Sequence, residues 1–589
     1  MSKDTLLVFS IGPVQGFIAA ARKLEDLWSG SYLLSHLTDQ AIKTVRESAN
    51  RRGITCEIVY PKVNLDDPKQ RSNVETIEVA SLPNRFLCHL KTDQQLTVDI
   101  AREAEQTVKD TLIDMGQFAI ERVFPNEANR ASMMKLLYAQ VDALLEVFWA
   151  TESLQGEEDF ARARQQLEKR LAAVKNGRPY LLNSQEGLVC TLCGEQQALT
   201  GPSRQPSHLD NYAQMKKNLE ENWSKRSEQF RTPIVQEGDN KVGRIKDGEG
   251  LCGICLSKRL ARDYFKENKE KNAFAAFPST HDITGGTKYY AVIMMDGDDM
   301  GKWISGDKNL AGEQDSLKTN VNMNYQKNLS AKLDYFAVRT VPSIVGKEYL
   351  GKLIYAGGDD VLAFAPVNSA LEMAKALRLA FSNDNTGLSA RATASMGIVI
   401  AHEKAHLSMV LDYARTMEGR AKSYQHPKGK AKDALGLAVL THSGEIREAV
   451  LPWALDGKEY TGTTKNCAVS FLQELLIMVQ SQLSVSFIEH FSQAFLPLLG
   501  AGLKQKQKIS VFPVEPGSNN EINKTKNYNL LVLEMSRVLR RSAREDCHNL
   551  DFLDQAKQLI DIHELMSSTL QFVHLMEMTR FFKRMEGKT

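Results

Sequence analysis

Two short acidic stretches carry the residues best suited to chemistry. Each of them follows a run of apolar, strand-forming residues. The stretch "YAGGDD" ends in Asp359 and Asp360, and the stretch "DGDDMG" begins with Asp296. Clustered carboxylates disfavour one another's ionisation unless a cation compensates, and Mg²⁺ or Mn²⁺ prefers such oxygen ligands. These residue types therefore predict a metal site for two-metal phosphoryl transfer.

The predicted order of elements explains how these distant acids would meet. From "KYYAVIMMDGDDMG" to "ATASMGIVIA" the pattern is β-α-β-β-α-β, the split βαβ of a ferredoxin-like fold. Its first and third strands are antiparallel neighbours, so Asp296 should lie beside Asp359 and Asp360. Of the remaining acids, Asp298 and Asp299, one is expected to support the site and the other to face solvent. Taken alone, "GGDD" is equally compatible with a solvated hairpin turn.

Glycines and a lysine flank the acids. Gly357 and Gly358 permit tight turns and let a nucleotide approach the backbone closely, and Gly297 is expected to do the same. Lys422 lies late in a predicted helix that could return toward the site, where a triphosphate would attract its ammonium. A solvated lysine on a helix face remains an open alternative for Lys422.

Four of the eight cysteines form two CxxC pairs, which are Cys190 with Cys193 and Cys252 with Cys255. Four thiolates at such spacing suit a closed, tetrahedral Zn²⁺ site with a structural role. In a reducing compartment the pattern favours metal over disulfides, although unliganded thiols remain an alternative. The intervening residues 202–250 are polar and are predicted to form a loop insertion.

Composition limits the class of protein. The chain has 589 residues, with 42% hydrophobic and 25% charged residues, and this length predicts several globular domains. The formal net charge of +2 argues against a strongly basic, independent nucleic-acid binder, so any basic surface would be local or partner chains would supply much of it. The sequence shows neither a signal peptide nor an apolar run of membrane-spanning length, and a cytoplasmic location with no membrane partner is expected.

The fold class predicted is α+β, with two copies of one architecture. Residues 1–125 form a first, degenerate ferredoxin-like domain, and residues 126–284 form a helical and zinc-binding region that is expected to be helical throughout 130–175. Residues 285–444 form a second ferredoxin-like domain that carries "GGDD". Residues 445–589 are predicted to be almost wholly helical, with one polar break, "EPGSNNEINKTKN". His402 and His406 are interpreted as packing or surface histidines, because no third zinc ligand accompanies them.

An ordered set of motifs resembles one family. The set comprises "GPVQGFI", "DLWSGSYLLS", the paired cysteines, "DGDDMG", "YAGGDD" and "SMGIVIAHEKAHL". It is similar to the large Palm-domain subunit of type III-B (Cmr-type) CRISPR effector complexes, the "Cas ten" superfamily. The resemblance implies two Palm domains of the nucleotide cyclase and polymerase type, a zinc module and a C-terminal helical domain. It also implies an antiviral enzyme that converts ATP into cyclic oligoadenylate, a second messenger, when the guide-loaded complex binds target RNA.

The resemblance also implies roles for particular residues. Asp359 and Asp360 match the metal-binding pair of the family, and Asp296 matches their acidic partner. The first Palm, with Gln15 and Ser31, looks like the half that helps to seat ATP without carboxylates. Its counterpart of "GGDD" is "NLDDPKQ", whose Asp66 and Asp67 are interpreted as loop acids.

The implied partners are the other Cmr-type subunits, with guide RNA and target RNA held through the complex. Many family members begin with an HD nuclease domain, but the first Palm strand here is predicted to start at residue 5. The dipeptide His281–Asp282 lacks accompanying histidines, so no DNA cleavage is expected. Two alternatives remain open, namely the same active site joining AMP to S-adenosylmethionine and a non-catalytic scaffold. A free-standing diguanylate cyclase is disfavoured by the zinc module and the second Palm.

Overall fold

A computed structural model of the chain describes residues 4–61, 81–125, 130–177, 187–200, 212–229, 236–237, 240–241, 244–268, 277–307, 321–429, 431–462, 464, 466–484, 486–495, 520–547 and 551–586. Asp66 and Asp67 lie outside these residues. Within the described ranges, every helix is too short or too polar to cross a bilayer.

The N-terminal part folds around a four-stranded antiparallel sheet. Its elements are β1 (Asp4–Gly12), α1 (Gln15–Ala19), α2 (Leu24–Arg51), β2 (Cys56–Tyr60), β3 (Arg85–Leu90), α3 (Gln94–Val123), α4 (Arg130–Leu144), β4 (Glu146–Leu154) and α5 (Phe160–Asn176). The strand order β2-β3-β1-β4 is that of the ferredoxin-like fold and confirms the predicted first Palm. Successive β1 residues point to opposite faces, so Leu7 and Phe9 pack with α2 and α3 while Leu6 and Val8 pack with α5.

The fourth strand of this sheet lies in a segment expected to be helical. Residues 146–154, "EVFWATESL", pair with β1 along nine consecutive positions. The uniform helix prediction for 130–175 is therefore wrong here, and the sheet continues past residue 125. Aromatic and β-branched residues favour a strand, but two long helices flank this short one and dominate the local periodicity.

The region between the two sheets contains α6 (Tyr212–Gln229), the short hairpin β5 (Gln236–Glu237) and β6 (Asn240–Lys241), α7 (Gly253–Asn268) and α8 (Thr280–Ile283). Helix α6 lies within the polar insertion that was expected to be a loop. Its buried residues Leu219 and Trp223 are one helical turn apart, and Trp223 Nε1 donates a hydrogen bond to Leu199 O at 2.9 Å. Two apolar anchors in a polar helix give too weak a periodicity for prediction.

The second sheet has six strands in the order β12-β11-β10-β7-β9-β8. Its elements are β7 (Tyr289–Gly297), α9 (Met300–Ser305), α10 (Met323–Tyr335), β8 (Lys352–Gly357), β9 (Asp360–Pro366), α11 (Val367–Phe381), β10 (Ala394–His402), α12 (Leu407–Lys422), β11 (Ala434–Leu440) and β12 (Ile446–Pro452), with π-helical turns at Phe336–Thr340 and Ser343–Glu348. The four strands β10-β7-β9-β8 repeat the order of the first sheet, so the second Palm is confirmed. Strand β12 lies past residue 445, where only helices were expected, because its hairpin with β11 extends the sheet.

The C-terminal part is helical, as predicted. It consists of α13 (Ala468–Ser481), α14 (Phe487–Phe495), α15 (Asn520–Ser542), α16 (Leu553–Leu565) and α17 (Thr569–Glu586). These helices share one core with the face of the second sheet that α10 and α11 cover. Helix α15 begins inside the predicted polar break, so residues 520–527 of that break are helical, whereas 515–519 lie outside the described residues.

Candidate functional site

The ends of β7 and β9 bring the three predicted aspartates together. Asp296 is near the end of β7, Asp360 begins β9, and Asp359 lies in the turn before it. One carboxylate oxygen from each residue lies within 4.8 Å of the others. Met295 is paired with Val361, so the antiparallel register places Asp296 beside Asp360. This oxygen-rich group could hold a divalent cation.

The glycines around the acids are required by close contacts. A Cβ on Gly297 would lie 2.8 Å from Asp359 Cβ and 3.1 Å from the Phe381 ring, so a larger residue would displace Asp359. Gly358 has a φ of +78°, which is unfavourable for residues with side chains. A side chain at Gly357 would overlap the Tyr355 hydroxyl. The roles expected of these glycines in nucleotide binding stay predictions.

The surroundings of Asp359 and Asp360 disfavour the charged forms of both carboxyl groups. Burial raises the pKa of Asp359 to about 6. Burial, followed by the charges of Asp359 and Glu418, raises the pKa of Asp360 well above its ordinary value. A divalent cation would stabilise both carboxylates in their charged form, because it supplies the missing opposite charge.

Lys422 is the last residue of α12 and forms an ion pair with Asp296. Its Nζ also lies 3.4 Å from Glu418 Oε1, one turn earlier. Burial, with the nearby Lys432 charge, lowers the pKa of Lys422 to about 8. Helix α12 is held closely against the sheet, because a Cβ on Gly397 of β10 would lie 2.6 Å from Glu418 N. The sequence did not single out Glu418, although its spacing from Lys422 places both on one helix face.

Asp298 and Asp299 have different surroundings, and only one of them matches the expectation. Asp298 is buried, and its carboxylate accepts hydrogen bonds from Ser395 Oγ at 2.8 Å and from Asp433 N at 3.1 Å, so it supports the site. Asp299 is instead paired with two lysines, with Lys432 Nζ at 2.5 Å and Lys302 Nζ at 3.4 Å. It therefore does not simply face solvent.

An open cavity of about 680 Å³ adjoins the acids, and Lys302, Lys422 and Lys432 line it together with Asp296 and Asp299. Three ammonium groups around one cavity are suited to phosphate oxygens. Sequence reasoning missed Lys302 and Lys432. The basic run "PKGKAK" before β11 was the available signal for Lys432.

The first Palm carries opposite charge at the equivalent sheet edge. Ser10 is paired with Arg85, as Asp296 lies beside Asp360 in the second Palm. Lys175, late in α5, donates a hydrogen bond to Ser10 Oγ at 3.0 Å, in the way that Lys422 reaches Asp296. Arg85 and a second arginine, Arg164, both form ion pairs with Glu168.

Burial of these cations gives the edge a strong anion preference. Burial, together with the charge of Arg85, lowers the pKa of Arg164 to about 9, and burial also lowers the pKa of Arg85. Nε of Arg164 is buried without a hydrogen bond within the described residues, whereas Nη1 is paired with Glu168. A buried guanidinium nitrogen that lacks a partner favours an anionic ligand.

Two tyrosines occupy equivalent positions in the two Palms. Tyr60 is paired with Leu87 after an irregularity in β2, and Tyr355 is paired with Leu362 after the same irregularity in β8. Burial and then the charge of Asp359 raise the pKa of Tyr60, so this residue of the first Palm lies near the acids of the second. Sequence reasoning missed both residues, although "EIVY" and "KLIY" were the available signal.

Gln15 and Ser31 lie in the first two helices of the chain. Gln15 is exposed at the start of α1, and Ser31 is buried in α2 with its hydroxyl lacking a hydrogen-bond partner within the described residues. Neither residue lines the cavity beside Asp296. Their expected part in seating ATP stays a prediction.

The four cysteines of the CxxC pairs converge, with their sulfurs within 4.8 Å of one another. Leu192 N donates to Cys190 Sγ at 3.4 Å, and Cys255 N donates to Cys252 Sγ at 3.3 Å. Four soft thiolates that accept backbone N–H bonds suit Zn²⁺. The residues present therefore fit a structural zinc ion.

Helix α7, which carries Cys255, contacts the first Palm directly. Lys258 of α7 is fully buried, and its Nζ donates to Phe17 O at 2.5 Å and to Ala20 O at 2.7 Å at the end of α1. Arg259 is buried between Asp26 and Glu249, with ion-pair distances of 2.7 and 2.8 Å. The cysteine site thus fixes the N-terminal motif rather than the acidic edge.

The histidines fill other roles. His281 lies 2.6 Å from Glu403, and Asp282 caps α8 by accepting a hydrogen bond from Ser279 N. His402 packs edge-on against Tyr289 and stacks near His442. Within the described residues, the groups that could hold a metal ion are the four cysteines and the three aspartates.

Two family models match parts of this chain. Residues 289–435 match the family described as "Cas10/Cmr2, second palm domain", and residues 6–117 match "CRISPR-associated protein Cmr2, N-terminal". The chain therefore carries a match to a Cas10/Cmr2 second palm domain and a match to a Cmr2 N-terminal domain. A Cas10/Cmr2 relative, the "CRISPR system Cmr subunit Cmr2" of Pyrococcus furiosus, is 25% identical over 88% of this chain and 70% of its own length.

Solved structures show the same fold. A subunit chain of the type III-B Cmr-beta complex in its apo state has a TM-score of 0.66 at 14% identity, covering 99% of this chain and 82% of that chain. A chain of the same complex bound to cognate target RNA has a TM-score of 0.63 at 13% identity, covering 99% and 83%. The fold that this chain shares with these Cmr-beta chains is therefore not confined to one of its domains.

Proposed function

We propose that this chain converts ATP into cyclic oligoadenylate by nucleotidyl transfer at the edge formed by Asp296, Asp359 and Asp360. The observation that carries the proposal is the convergence of the three carboxylates, one of which, Asp296, lines a cavity together with three lysines. The match of residues 289–435 to a second palm domain supports it, because a Palm domain suits phosphoryl transfer to a hydroxyl. Mg²⁺ or Mn²⁺, held by the three aspartates, would supply activation of the hydroxyl and neutralisation of the phosphate charge.

Each transfer step balances in the following way. The 3′-hydroxyl oxygen of one ATP forms a bond to the α-phosphorus of another, and the bond from that phosphorus to the β-phosphate oxygen breaks. The hydroxyl proton leaves to solvent, and pyrophosphate departs. Ring closure is the same step within one chain, so each bond formed releases one pyrophosphate.

The residues around the acids have separate proposed roles. Lys302, Lys422 and Lys432 hold the triphosphate of the nucleotide that is attacked, because their ammonium groups surround the cavity. Arg85 and Arg164 hold the phosphates of the second nucleotide on the first Palm, where their buried guanidinium groups favour an anion. The two nucleotides would thus approach each other from opposite Palms.

The partners belong to the same proposal. The similar Cmr-beta chains come from a multi-subunit complex, one form of which is bound to cognate target RNA. We propose that this chain likewise assembles with Cmr-type subunits, guide RNA and target RNA, and that target binding activates the site in the cytoplasm. Its almost neutral charge fits RNA being held mainly by the assembly.

The test uses the reconstituted complex with guide RNA, target RNA, labelled ATP and Mg²⁺ or Mn²⁺. The double variant Asp359→Asn/Asp360→Asn is expected to lose the cyclic product while assembly and target binding persist. The matched control Glu157→Gln/Glu158→Gln changes an exposed adjacent acid pair and should retain the product. Undiminished product from the aspartate variant would refute the assignment.

Mass identification of the product separates the alternatives. A product that forms only when S-adenosylmethionine is added would mean that AMP is joined to that acceptor. A complex that assembles and binds target RNA but releases no pyrophosphate from ATP would leave this chain as a scaffold.

A further inference from the structure

Lys422 lies between two carboxylates at the rim of the acidic edge. Its Nζ is paired with Asp296 Oδ2 and lies 3.4 Å from Glu418 Oε1. Asp296 is also one of the three acids that could hold a divalent cation. The same carboxylate therefore has two competing cations, namely an ammonium of the chain itself and a metal ion.

A divalent cation at Asp296 and the ammonium of Lys422 would repel each other, and the repulsion is strong where water is partly excluded. Lys422 therefore needs another anionic partner within reach. Glu418 offers one, because its side chain is 16% exposed and lies on the same helix face. Glu418 Oε1 is buried without a hydrogen bond within the described residues, so it has free capacity as an acceptor.

We propose that Glu418 is a positioning residue that receives Lys422 from Asp296 when a divalent cation binds there. Lys422 thereby frees a metal-binding carboxylate without losing its own ion pair. Its ammonium also stays at the wall of the lysine-lined cavity. The inference rests on the proposed function for the presence of the metal, but not for the identity of the nucleotide product.

The surroundings leave Glu418 as the suitable acceptor. The neighbouring acid Asp298 is already engaged by Ser395 and the Asp433 backbone, and Asp299 is engaged by Lys432. The close contact of Glu418 N with Gly397 fixes the helix backbone. Movement of the lysine side chain alone is therefore sufficient for the exchange.

The test measures Mn²⁺ binding to the full chain in the absence of nucleotide, from the free Mn²⁺ signal in electron paramagnetic resonance. The variants are Lys422→Met, Glu418→Gln and the double variant. The Mn²⁺ binding that persists in the variant Asp359→Asn/Asp360→Asn occurs away from the acidic edge and is subtracted from the binding of every other variant. Zinc content and the melting temperature verify folding, and Asp412→Asn, an exposed change on the same helix, is the matched control.

Removing the competing ammonium in Lys422→Met should tighten Mn²⁺ binding by about tenfold. Glu418→Gln should weaken binding by about tenfold when Lys422 is present, because the lysine then stays on Asp296. In the Lys422→Met background, the fold-loss of Mn²⁺ binding caused by Glu418→Gln should be smaller by a factor of at least about three, since only the direct charge effect remains.

Equal weakening in both backgrounds would overturn the proposal, because Glu418 would then act directly on the metal. Absence of weakening in both backgrounds would overturn it as well. If the variants show the expected pattern of Mn²⁺ binding but the complex makes no cyclic oligoadenylate, the proposed function is refuted and the role of Glu418 stands.

Discussion

At the acidic edge, burial disfavours the charged forms of the carboxyl groups that would bind a cation. Burial opposes the ionisation of Asp359 and Asp360, and Lys422 compensates only the neighbouring Asp296. On the first Palm, burial likewise opposes the charge of Arg164. The charged form of each group is stabilised by a ligand of opposite charge, so each edge favours such a ligand.

Replacing Arg164 tests the phosphate role of the first Palm. Arg164→Gln should raise the KM for ATP by about tenfold, because a charged hydrogen bond to phosphate is lost. The matched control Arg170→Gln changes an arginine of the same helix that is 54% exposed and paired with Glu152. Steady-state pyrophosphate release measures both variants, and an unchanged KM in Arg164→Gln would contradict the role.

His402 makes a separate contribution to stability that depends on pH. Burial, with the neighbouring His442, lowers the pKa of His402 below its ordinary value. The unfolded chain therefore binds a proton more readily, so stability is present above the ordinary pKa and is lost as pH falls below it.

His402→Asn should reduce the fall in melting temperature between pH 7.5 and pH 5.5, conditions that bracket the usual pKa of about 6.5. Differential scanning calorimetry at both pH values measures it. His406→Asn, at an exposed position of the same connection, should leave the fall unchanged. The same fall in wild type and His402→Asn would rule out this histidine as a source of acid sensitivity.

Among the elements, α12 depends on close contact with the second sheet. A Cβ on Gly397 would meet the backbone of Ala414 and Glu418, and a Cβ on Gly436 would meet the backbone of Met417. Backbone atoms cannot move aside as a flexible side chain can. Any widening of this contact moves Lys422 away from Asp296.

Gly397→Ala should therefore lower both stability and nucleotidyl transfer, with a stability loss of about 1–3 kcal/mol from overpacking. Gly419→Ala is the matched control within α12, because its Cβ would meet nothing within 4 Å. That control should stabilise the helix by about 0.5–1 kcal/mol. Thermal unfolding and the ATP assay measure both changes, and a neutral Gly397→Ala would disprove the close-packing argument.

Sequence could predict the elements whose patterns are long or bounded by clear turns. Strands β7 and β9 and their aspartates follow from apolar runs that stop at glycine and acid, and the paired cysteines follow from spacing. Strand β4 and helix α6 could not be predicted, since their stability comes from pairing with β1 and from one buried tryptophan. The roles of Arg85 and Tyr60 were not predicted, because they follow from strand register, which a single sequence does not specify.

At the scale of the whole molecule, the cysteine site joins the region between the sheets to the first Palm. Lys258 and Arg259 follow the second cysteine pair by a few residues and are fully buried against α1 and α2. One continuous core then runs from the first sheet to the face of the second sheet covered by α12. Loss of zinc should therefore weaken the packing around the first Palm.

Cys190→Ser/Cys252→Ser should remove one zinc ion per chain and lower the melting temperature, because structural zinc contributes about 10 kcal/mol or more in small domains. Zinc content by atomic absorption and calorimetry measure the two effects. Cys547→Ser changes a half-buried cysteine outside the site and should affect neither. Full zinc content in the double variant would argue against the four-cysteine site.

The two Palms present equivalent strand edges with opposite charge, carboxylates on one and arginines on the other. Two identical edges would accept their nucleotides interchangeably. Unequal edges give the pair a polarity, because the lysines and the three acids lie on one Palm and the arginines lie on the other. Under the proposed function, one nucleotide always gives the phosphorus and the other always gives the hydroxyl. The oligonucleotide would then grow in a single direction before its ends are joined.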